Sequence, residues 1–157
     1  MYEFFYGGIF SQFFPCTFTE MGVTYNSAEQ YMMAQKALLF DDIKTYDKIM
    51  SLSNPYKIKA LGRLVKNFNQ EIWDKHKEDI VFNGNLLKFS QNKKLCKQLL
   101  ATGDKEIVEA SPTDTIWGIG LAETDPAIYN KDNWRGTNLL GKAIMKVRDV
   151  LKNKDII

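Results

Sequence analysis

Apolar and polar positions along the chain predict an architecture with more helix than strand. The aromatic start, which is followed by Gly7 and Gly8, is typical of a short strand that ends in a turn. The segment FTEMGVTYN carries β-prone residues on both sides of Gly22 and predicts a short hairpin. Ser27 is followed by Gln30 at the spacing of a capping box, so we expect a helix from about residue 28 to residue 40.

Further helices are expected in the middle of the chain. Asn54 and Pro55 have the order of an N-cap followed by a first helical residue, which predicts a helix through about Lys66. Residues 69–89 and 91–101 predict two more helices.

The last third of the chain is expected to add one strand and one helix. Gly103 is suited to end the helix over residues 91–101, and the segment EIVEA that follows predicts a short strand. Thr137 or Asn138 begins a final helix, whose apolar residues form a single stripe: Leu140, Ala143, Ile144, Val147 and Leu151. The expected fold is therefore a mostly helical α+β domain that spans residues 1–157 as one unit.

Composition narrows the possible classes of protein. Apolar residues make up 45% of the chain, and a formal charge of +2 is far from that of a dedicated nucleic-acid binder, so any such contact should be local. Cys16 and Cys96 have no metal-ligand spacing and His76 is the single histidine, which predicts two free thiols and no metal site. Without a leader or a long apolar run, we expect a cytoplasmic protein with no membrane contact.

The helix expected over residues 28–40 combines an apolar circumference with two charges. Its apolar residues surround almost the whole helix, which predicts burial. Glu29 and Lys36 nevertheless fall within about 20° of each other in a helical projection, between Met32 and Met33. Because helical side chains lean toward the N-terminus, Lys36 should point back toward Glu29 and leave a gap the size of a water or a reacting group.

Two interpretations of this pair remain open from the residues alone. Both side chains can reach solvent or form a structural ion pair, as many such pairs do. Burial would instead cost several kcal/mol for each ion, and desolvation would shift such groups toward pKa values suited to proton transfer or to attack by an amine.

Several motifs resemble those of the NADAR family, also called YbiA-like, and occur in the same order. The segment SAEQYMMAQK resembles that family's S-x-E-x-Y-x-x-A-x-K signature. The block LLATGDKEIVEASPTDTIWGIG is the most specific match, and GTNLLGKAIMKVR resembles the closing segment of the family. Shorter matches are Phe10, Ser11, Phe13 and Pro15 at the start, Ala60, Gly62 and Arg63 further on, and Trp73.

Two positions depart from the family pattern. Gln12 stands where the opening motif usually has asparagine. Leu139 stands where the family often has arginine directly after Asn138, which predicts the loss of one ligand contact. Arg135, three residues before Asn138, could take the place of the missing family arginine, and only its proximity in sequence suggests this.

The resemblance implies hydrolysis of a bond between ribose and the nitrogen of a base. We expect no metal and no other cofactor. Members of the family are associated with removal of ADP-ribose from guanine in nucleic acid, and others with cleavage of early ribosylamino intermediates of riboflavin synthesis. The implied partner is therefore an ADP-ribose-type or phosphoribosyl small molecule, with ADP-ribosylated nucleic acid as a further substrate.

Three residues are the expected catalytic groups. Breaking an N-glycosidic bond needs a carboxylate near the sugar and a donor near the departing base, and Glu29 is expected to act as the acid or base. A neutral Lys36 would attack C1 of the sugar and open the ring to a Schiff base, with phosphate or ribose binding as its alternative role. Asp114 follows a Ser-Pro-Thr turn sequence and would contact a ribose hydroxyl or the base, unless it only caps the turn.

Six further residues are expected to bind the substrate: Phe10, Ser11, Arg63, Trp117, Gly118 and Asn138. Trp117 would stack on the base while Gly118 allows close approach, although a core position is the alternative for the tryptophan. The planar fork of Arg63 fits phosphate oxygens, and a solvated surface position is the alternative for this residue. Asn138 would add its amide to free N–H groups at the start of the last helix, or would simply cap that helix.

Four functions follow in order of support. Removal of ADP-ribose from ADP-ribosylated guanine is the leading hypothesis, and the same chemistry on a phosphoribosylamino pyrimidine comes next. A module that binds ADP-ribose or a nucleotide without turnover is a third. A plain interaction protein is the least supported, because the polar pair on the apolar helix would then be an unexplained cost.

Overall fold

A computed structural model describes residues 1–154, which form six α-helices, four short strands and two 3₁₀ turns. The chain divides into two compact units. The central unit is Gln12–Asn92, and the terminal unit combines Met1–Ser11 with the residues from Lys93 onward. Helices predominate over short strands, which confirms the expected α+β class.

The central unit begins with a hairpin and continues with four helices. Its antiparallel strands are β2 (Phe18–Glu20) and β3 (Val23–Tyr25), and the turn between them passes through Gly22 as predicted. The helices are α1 (Ala28–Leu39), α2 (Ile43–Met50), α3 (Pro55–Gly62) and α4 (Gln70–Ser90). Helix α1 lies at the centre of this unit, because α2, α3 and α4 all pack against it.

The start of α1 is fixed by the capping residues that the sequence predicts. The Ser27 hydroxyl accepts a hydrogen bond from the backbone N–H of Gln30 at 3.0 Å, and the Gln30 side chain accepts one from the N–H of Asn26 at 2.8 Å. The amide nitrogen of Gln30 also donates to the carbonyls of Ile49 and Leu52. One buried glutamine thus caps α1 and holds the end of α2 beside it.

The terminal unit is built on two parallel strands, β1 (Tyr2–Phe5) and β4 (Glu106–Glu109). Its helices are α5 (Lys93–Leu100) and α6 (Leu139–Lys154), and its 3₁₀ turns are Pro126–Tyr129 and Lys131–Asn133. Helix α6 packs on β4. A buried cluster forms the core beside these strands: Val108, Ala110, Ile119, Leu121 and Ile128.

A buried arginine ties α6 to the turn before β4. Arg148, in the closing motif, donates to the Thr102 hydroxyl at 3.0 Å and to the carbonyl of Lys105 at 2.7 Å. Both contacts belong to the terminal unit, so the guanidinium of this motif residue has a structural role.

The structure corrects the end of one predicted helix and adds a helix that was not predicted. Helix α3 ends at Gly62 rather than near Lys66, because the backbone N–H of Lys66 donates to the Asp42 carboxylate at 2.8 Å instead of continuing the helix. Helix α2, which the sequence pattern did not indicate, begins after that same Asp42. Within residues 1–154, no helix has both the length and the apolar character needed to cross a membrane.

Candidate active site

Helix α1 places Glu29 and Lys36 on one face, about two turns apart. Glu29 lies in the first turn and is 6% exposed, whereas Lys36 lies in the last turn and is half-buried. Burial is the main cause that lowers the pKa of the Lys36 ammonium. The charge of Glu29 acts in the opposite direction and raises this pKa, while the charge of Arg63 lowers it further. These three predicted site residues therefore form one electrostatic group in the central unit.

Aromatic rings surround the Lys36 ammonium more directly than the sequence suggests. Lys36 Nζ lies 4.7 Å from the ring centroid of Phe68 and 5.5 Å from that of Trp73. Met32 and Met33, which flank the pair in the helical projection, are both buried. Phe68 was missed because it lies between two helices, where sequence periodicity gives no direction to a side chain. Its attraction for a cation opposes the effect of desolvation on Lys36.

Helix α3 approaches α1 closely enough to bring Arg63 near the pair. A Cβ atom added at Gly62 would lie 1.9 Å from the sulfur of Met33, so a larger residue fits here only if the Met33 side chain moves. Met33 is located between Glu29 and Lys36 along α1. The exposed Arg63 follows Gly62 directly, and its electrostatic effect on Lys36 agrees with this position.

The opening motif contributes a cap to the first turn of α1. The backbone carbonyl of Gln12 accepts a hydrogen bond from the N–H of Glu29 at 2.9 Å. The Gln12 side chain accepts from the Asn85 amide at 2.9 Å and lies 3.8 Å from the sulfur of Met32. Glutamine at this departure from the family pattern thus connects α4 with the helix turn that carries Glu29.

In the terminal unit, Asp114 caps its own turn. One carboxylate oxygen accepts the N–H groups of Ile116 and Trp117 at 2.9 and 2.8 Å, and the Asp114 N–H donates to the Ser111 hydroxyl. Asp114 therefore caps its turn, which was the alternative role predicted for this residue. Contact between Asp114 and a ribose or base stays a prediction.

Trp117 and Gly118 follow in the same loop. Trp117 is half-buried and Gly118 is buried. A Cβ atom added at Gly118 would lie 2.8 Å from a carboxylate oxygen of Glu109 and 2.9 Å from the Glu109 carbonyl. Gly118 is thus required for packing against the end of β4, a role that was not predicted from the sequence. Stacking of a base on Trp117 and close approach of a ligand at Gly118 stay predictions.

Asn138 is engaged by the backbone of β4. Its buried amide accepts from the N–H of Glu109 and donates to the carbonyl of Ile107, both at 3.0 Å. The first backbone N–H groups of this region donate to the preceding loop: Asn138 to Gly118, Leu139 to Ile116 and Leu140 to Trp117. The expectation of free N–H groups here was wrong, because loop carbonyls occupy these donors. Ligand contact by Asn138 stays a prediction that these bonds do not favour.

Phe10 and Ser11 lie at the start of the chain in the terminal unit. Phe10 is 6% exposed, and its ring centroid is 5.7 Å from that of Phe5, which is a core environment. The N–H of Ser11 donates to the carbonyl of Gly8 in a turn. Their contact with a substrate stays a prediction.

Comparison with known proteins agrees with this arrangement of motifs. A family model described as the NADAR domain matches residues 4–152. The chain belongs to the NADAR family. It is 55% identical to an N-glycosidase of Acanthamoeba polyphaga mimivirus, over 94% of this chain and 95% of that protein. The NMR structure of the E. coli protein YbiA is similar with a TM-score of 0.81 and 28% identity, over 98% of this chain and 86% of that one.

A third relative is a riboflavin biosynthesis protein of Vibrio vulnificus. It is 32% identical to this NADAR chain, and the match covers 92% of the residues of this chain. The chain spans 36% of the length of that relative, so the likeness concerns one part of a longer protein.

Proposed function

We propose that this NADAR protein is an N-glycosidase that removes ADP-ribose from ADP-ribosylated guanine in nucleic acid. The observation that carries the proposal is the pairing of a buried carboxylate, Glu29, with a lysine whose pKa is lowered, Lys36, on one face of α1. The similarity to named N-glycosidases supports the type of bond that is cleaved.

In the proposed reaction, a proton passes from the Lys36 ammonium to the Glu29 carboxylate, and the neutral amine of Lys36 then attacks C1 of the ribose. The bond from C1 to the base nitrogen breaks, its electron pair leaves with the base, and Glu29 supplies the proton that the base requires. The lysine nitrogen then gives one of its protons to the ring oxygen as the bond from C1 to that oxygen breaks, which opens the ribose to a protonated Schiff base on Lys36. Water adds to this carbon with Glu29 as base, and release of the lysine amine gives free ADP-ribose.

The experiment measures release of ADP-ribose from a single-stranded oligonucleotide that carries one ADP-ribosylated guanine. Glu29→Gln should slow release by about 10²-fold or more, because it removes the proton-transfer group. Lys36→Arg should abolish it, because a guanidinium keeps the charge but cannot form a Schiff base. Glu71→Gln and Lys44→Arg, which change exposed residues in the same way, serve as controls and should keep wild-type rates. Equal release by all five proteins would reject the assignment of the site.

A second candidate function is cleavage of a phosphoribosylamino pyrimidine, which the similarity to the Vibrio vulnificus riboflavin protein favours. The same variants distinguish it, because that small substrate would be consumed while the modified oligonucleotide remains intact. Tight binding of ADP-ribose with no product from either substrate would indicate a binding module instead.

A further inference from the structure

The basic side chains of the central unit are unevenly distributed. Residues 48–70 include five basic residues and no acidic one, although the whole chain has a formal charge of only +2. The five residues are Lys48, Lys57, Lys59, Arg63 and Lys66. All five are exposed, so this segment presents a local positive charge to solvent.

Helix α3, at the centre of this segment, has one buried and one exposed face. Ile58 and Gly62, four residues apart, are buried. Tyr56, Lys59 and Arg63 project within about 60° of one another on a different side. Each is exposed, and Tyr56 retains 74% of its accessible surface. An aromatic ring and two cations thus share one solvent-facing side of a short helix.

Contacts with Phe13 hold two of these side chains together. The ring of Tyr56 meets that of Phe13 edge-on, with centroids 4.9 Å apart, and Lys59 Nζ lies 5.8 Å from the Phe13 centroid. Lys66 differs, because its segment is bound to Asp42 and the charges of these two residues interact. The exposed side on which a ring and two cations lie together therefore consists of Tyr56, Lys59 and Arg63.

This side of α3 continues to the candidate active site within the same unit. Arg63 lies close enough to Lys36 to lower the pKa of its ammonium. Gly62 packs on Met33, which lies between Glu29 and Lys36 on α1. A polymer lying along α3 would therefore reach the proposed catalytic pair at the Arg63 end.

We propose that Tyr56, Lys59 and Arg63 form a strand-binding surface for single-stranded nucleic acid that flanks the base to be cleaved. The inference rests on the proposed function, because it places a strand beside Glu29 and Lys36. The cations match the phosphate charges of the strand, and the exposed tyrosine offers a ring on which a base can stack. An acidic peptide would use the cations but would have no use for the ring.

Binding is tested with a fluorescein-labelled, unmodified oligothymidylate, whose fluorescence anisotropy is measured over a range of salt concentrations. Lys59→Gln should reduce the slope of log Kd against log salt by about 0.7, the value for one phosphate contact on a single strand. Tyr56→Ala should weaken binding by about tenfold through loss of stacking. Lys94→Gln and Tyr129→Ala change an exposed lysine and an exposed tyrosine of the terminal unit, and both should bind like the wild type.

Cleavage provides the second readout. Tyr56→Ala and Lys59→Gln should lower kcat/KM by about tenfold for the ADP-ribosylated oligonucleotide. ADP-ribosylated guanosine has no flanking strand. For this substrate, the kcat/KM of each variant should differ from that of the wild type by less than twofold. If the wild type cleaves neither substrate, the proposed function fails, and the anisotropy measurements still decide whether the surface exists.

Three results would overturn the strand-binding surface. The first is unchanged oligothymidylate affinity and salt slope in both Tyr56→Ala and Lys59→Gln. The second is an equal loss in the two control variants, which would indicate attraction spread over the whole protein. The third is competition by polyglutamate that is as strong as competition by unlabelled oligothymidylate, which would favour an acidic protein as the partner.

Discussion

Lys36 carries the proposed chemistry, and its protonation depends on neighbours that act in opposite directions. Burial and Arg63 favour the neutral amine, whereas Glu29 favours the ammonium. The rings of Phe68 and Trp73 also attract the charged form. Because desolvation is the largest cause, the neutral nucleophile is available at lower pH than in an exposed lysine.

The signs of these effects predict how the pKa of Lys36 responds to substitution. Arg63→Gln removes a nearby positive charge and should raise this pKa, so the activity profile should move to higher pH. Glu29→Gln removes a nearby negative charge and should lower the same pKa. Titration of the lysine Cε signals of ¹³C-labelled protein by NMR measures both changes without a substrate, and Lys36→Arg identifies the signal by its loss.

Lys44→Arg provides the control, because an exposed lysine of α2 should leave the Lys36 titration unchanged. Shifts of equal sign in Arg63→Gln and Glu29→Gln would contradict the electrostatic arrangement of the three residues. A Lys36 midpoint at the ordinary value for lysine would remove the basis for a neutral nucleophile at physiological pH.

At the scale of elements, local signals located the start of α1 but not the end of α3. Ser27 and Gln30 cap α1 through hydrogen bonds that lie within a few residues, so sequence spacing was sufficient. Helix α3 ends early because Asp42 binds the backbone of Lys66, a contact between residues 24 positions apart. Such contacts depend on how helices pack, and a pattern within one segment does not contain them.

The contact between α1 and α3 gives a prediction for Gly62→Ala. The added methyl group would overlap the sulfur of Met33, so the side chain of this residue, which lies between Glu29 and Lys36 along α1, must move. We expect a loss of about 1–3 kcal/mol from overpacking, offset by a gain of up to about 1 kcal/mol from the better helix propensity of alanine. Urea unfolding followed by circular dichroism measures the net change.

A double-mutant cycle with Met33→Ala separates the overlap from other effects of the new methyl group. In the wild type, Met33→Ala leaves a cavity, whereas in the Gly62→Ala background the same change also relieves the overlap. Met33→Ala should therefore lower the free energy of unfolding by less in the Gly62→Ala background than in the wild type. We expect the two costs to differ by at least about 1 kcal/mol. Additive costs would show that α3 does not meet α1 at this pair.

For the whole molecule, the fold class and the family followed from the sequence, but the environment of the site residues did not. Glu29 and Lys36 lie on one helix, so their shared face could be predicted from helical geometry alone. Asn138 was expected to contact a ligand or to cap the last helix, and its amide also binds β4, about 30 residues earlier in the chain. A polar residue in a motif can form hydrogen bonds with a substrate or with the protein backbone. Only the tertiary structure shows which of these partners it contacts.

Lys88 shows how one buried charge affects the stability of the molecule. Its side chain is fully buried, with Nζ 5.0 Å from the ring centroid of Phe89 and 5.7 Å from that of Phe14. Burial lowers the pKa of Lys88 to about 8, although Cys16 acts in the opposite direction. Below that pH the folded protein holds a buried ammonium, which costs roughly 3 kcal/mol relative to the unfolded chain.

This cost determines the sign of the pH dependence. The unfolded lysine keeps its proton up to about pH 10.5, so between about pH 8 and that value the unfolded state binds more protons and stability rises with pH. Lys88→Met, which has no charge, should therefore gain most over the wild type below about pH 8. Its advantage should shrink by roughly 3 kcal/mol as the pH approaches about 10.5. Urea unfolding of both proteins across this range measures the difference.

Two comparisons make the Lys88 measurement specific. The raised pKa values of Tyr25 and Tyr31 also affect stability at high pH, but both proteins contain these tyrosines, so their contribution cancels in the difference. Lys94→Met removes an exposed lysine and should show a difference that does not change with pH. A constant difference for Lys88→Met would mean that the buried amine keeps the same pKa in the folded and unfolded states, because only unequal proton binding makes stability depend on pH.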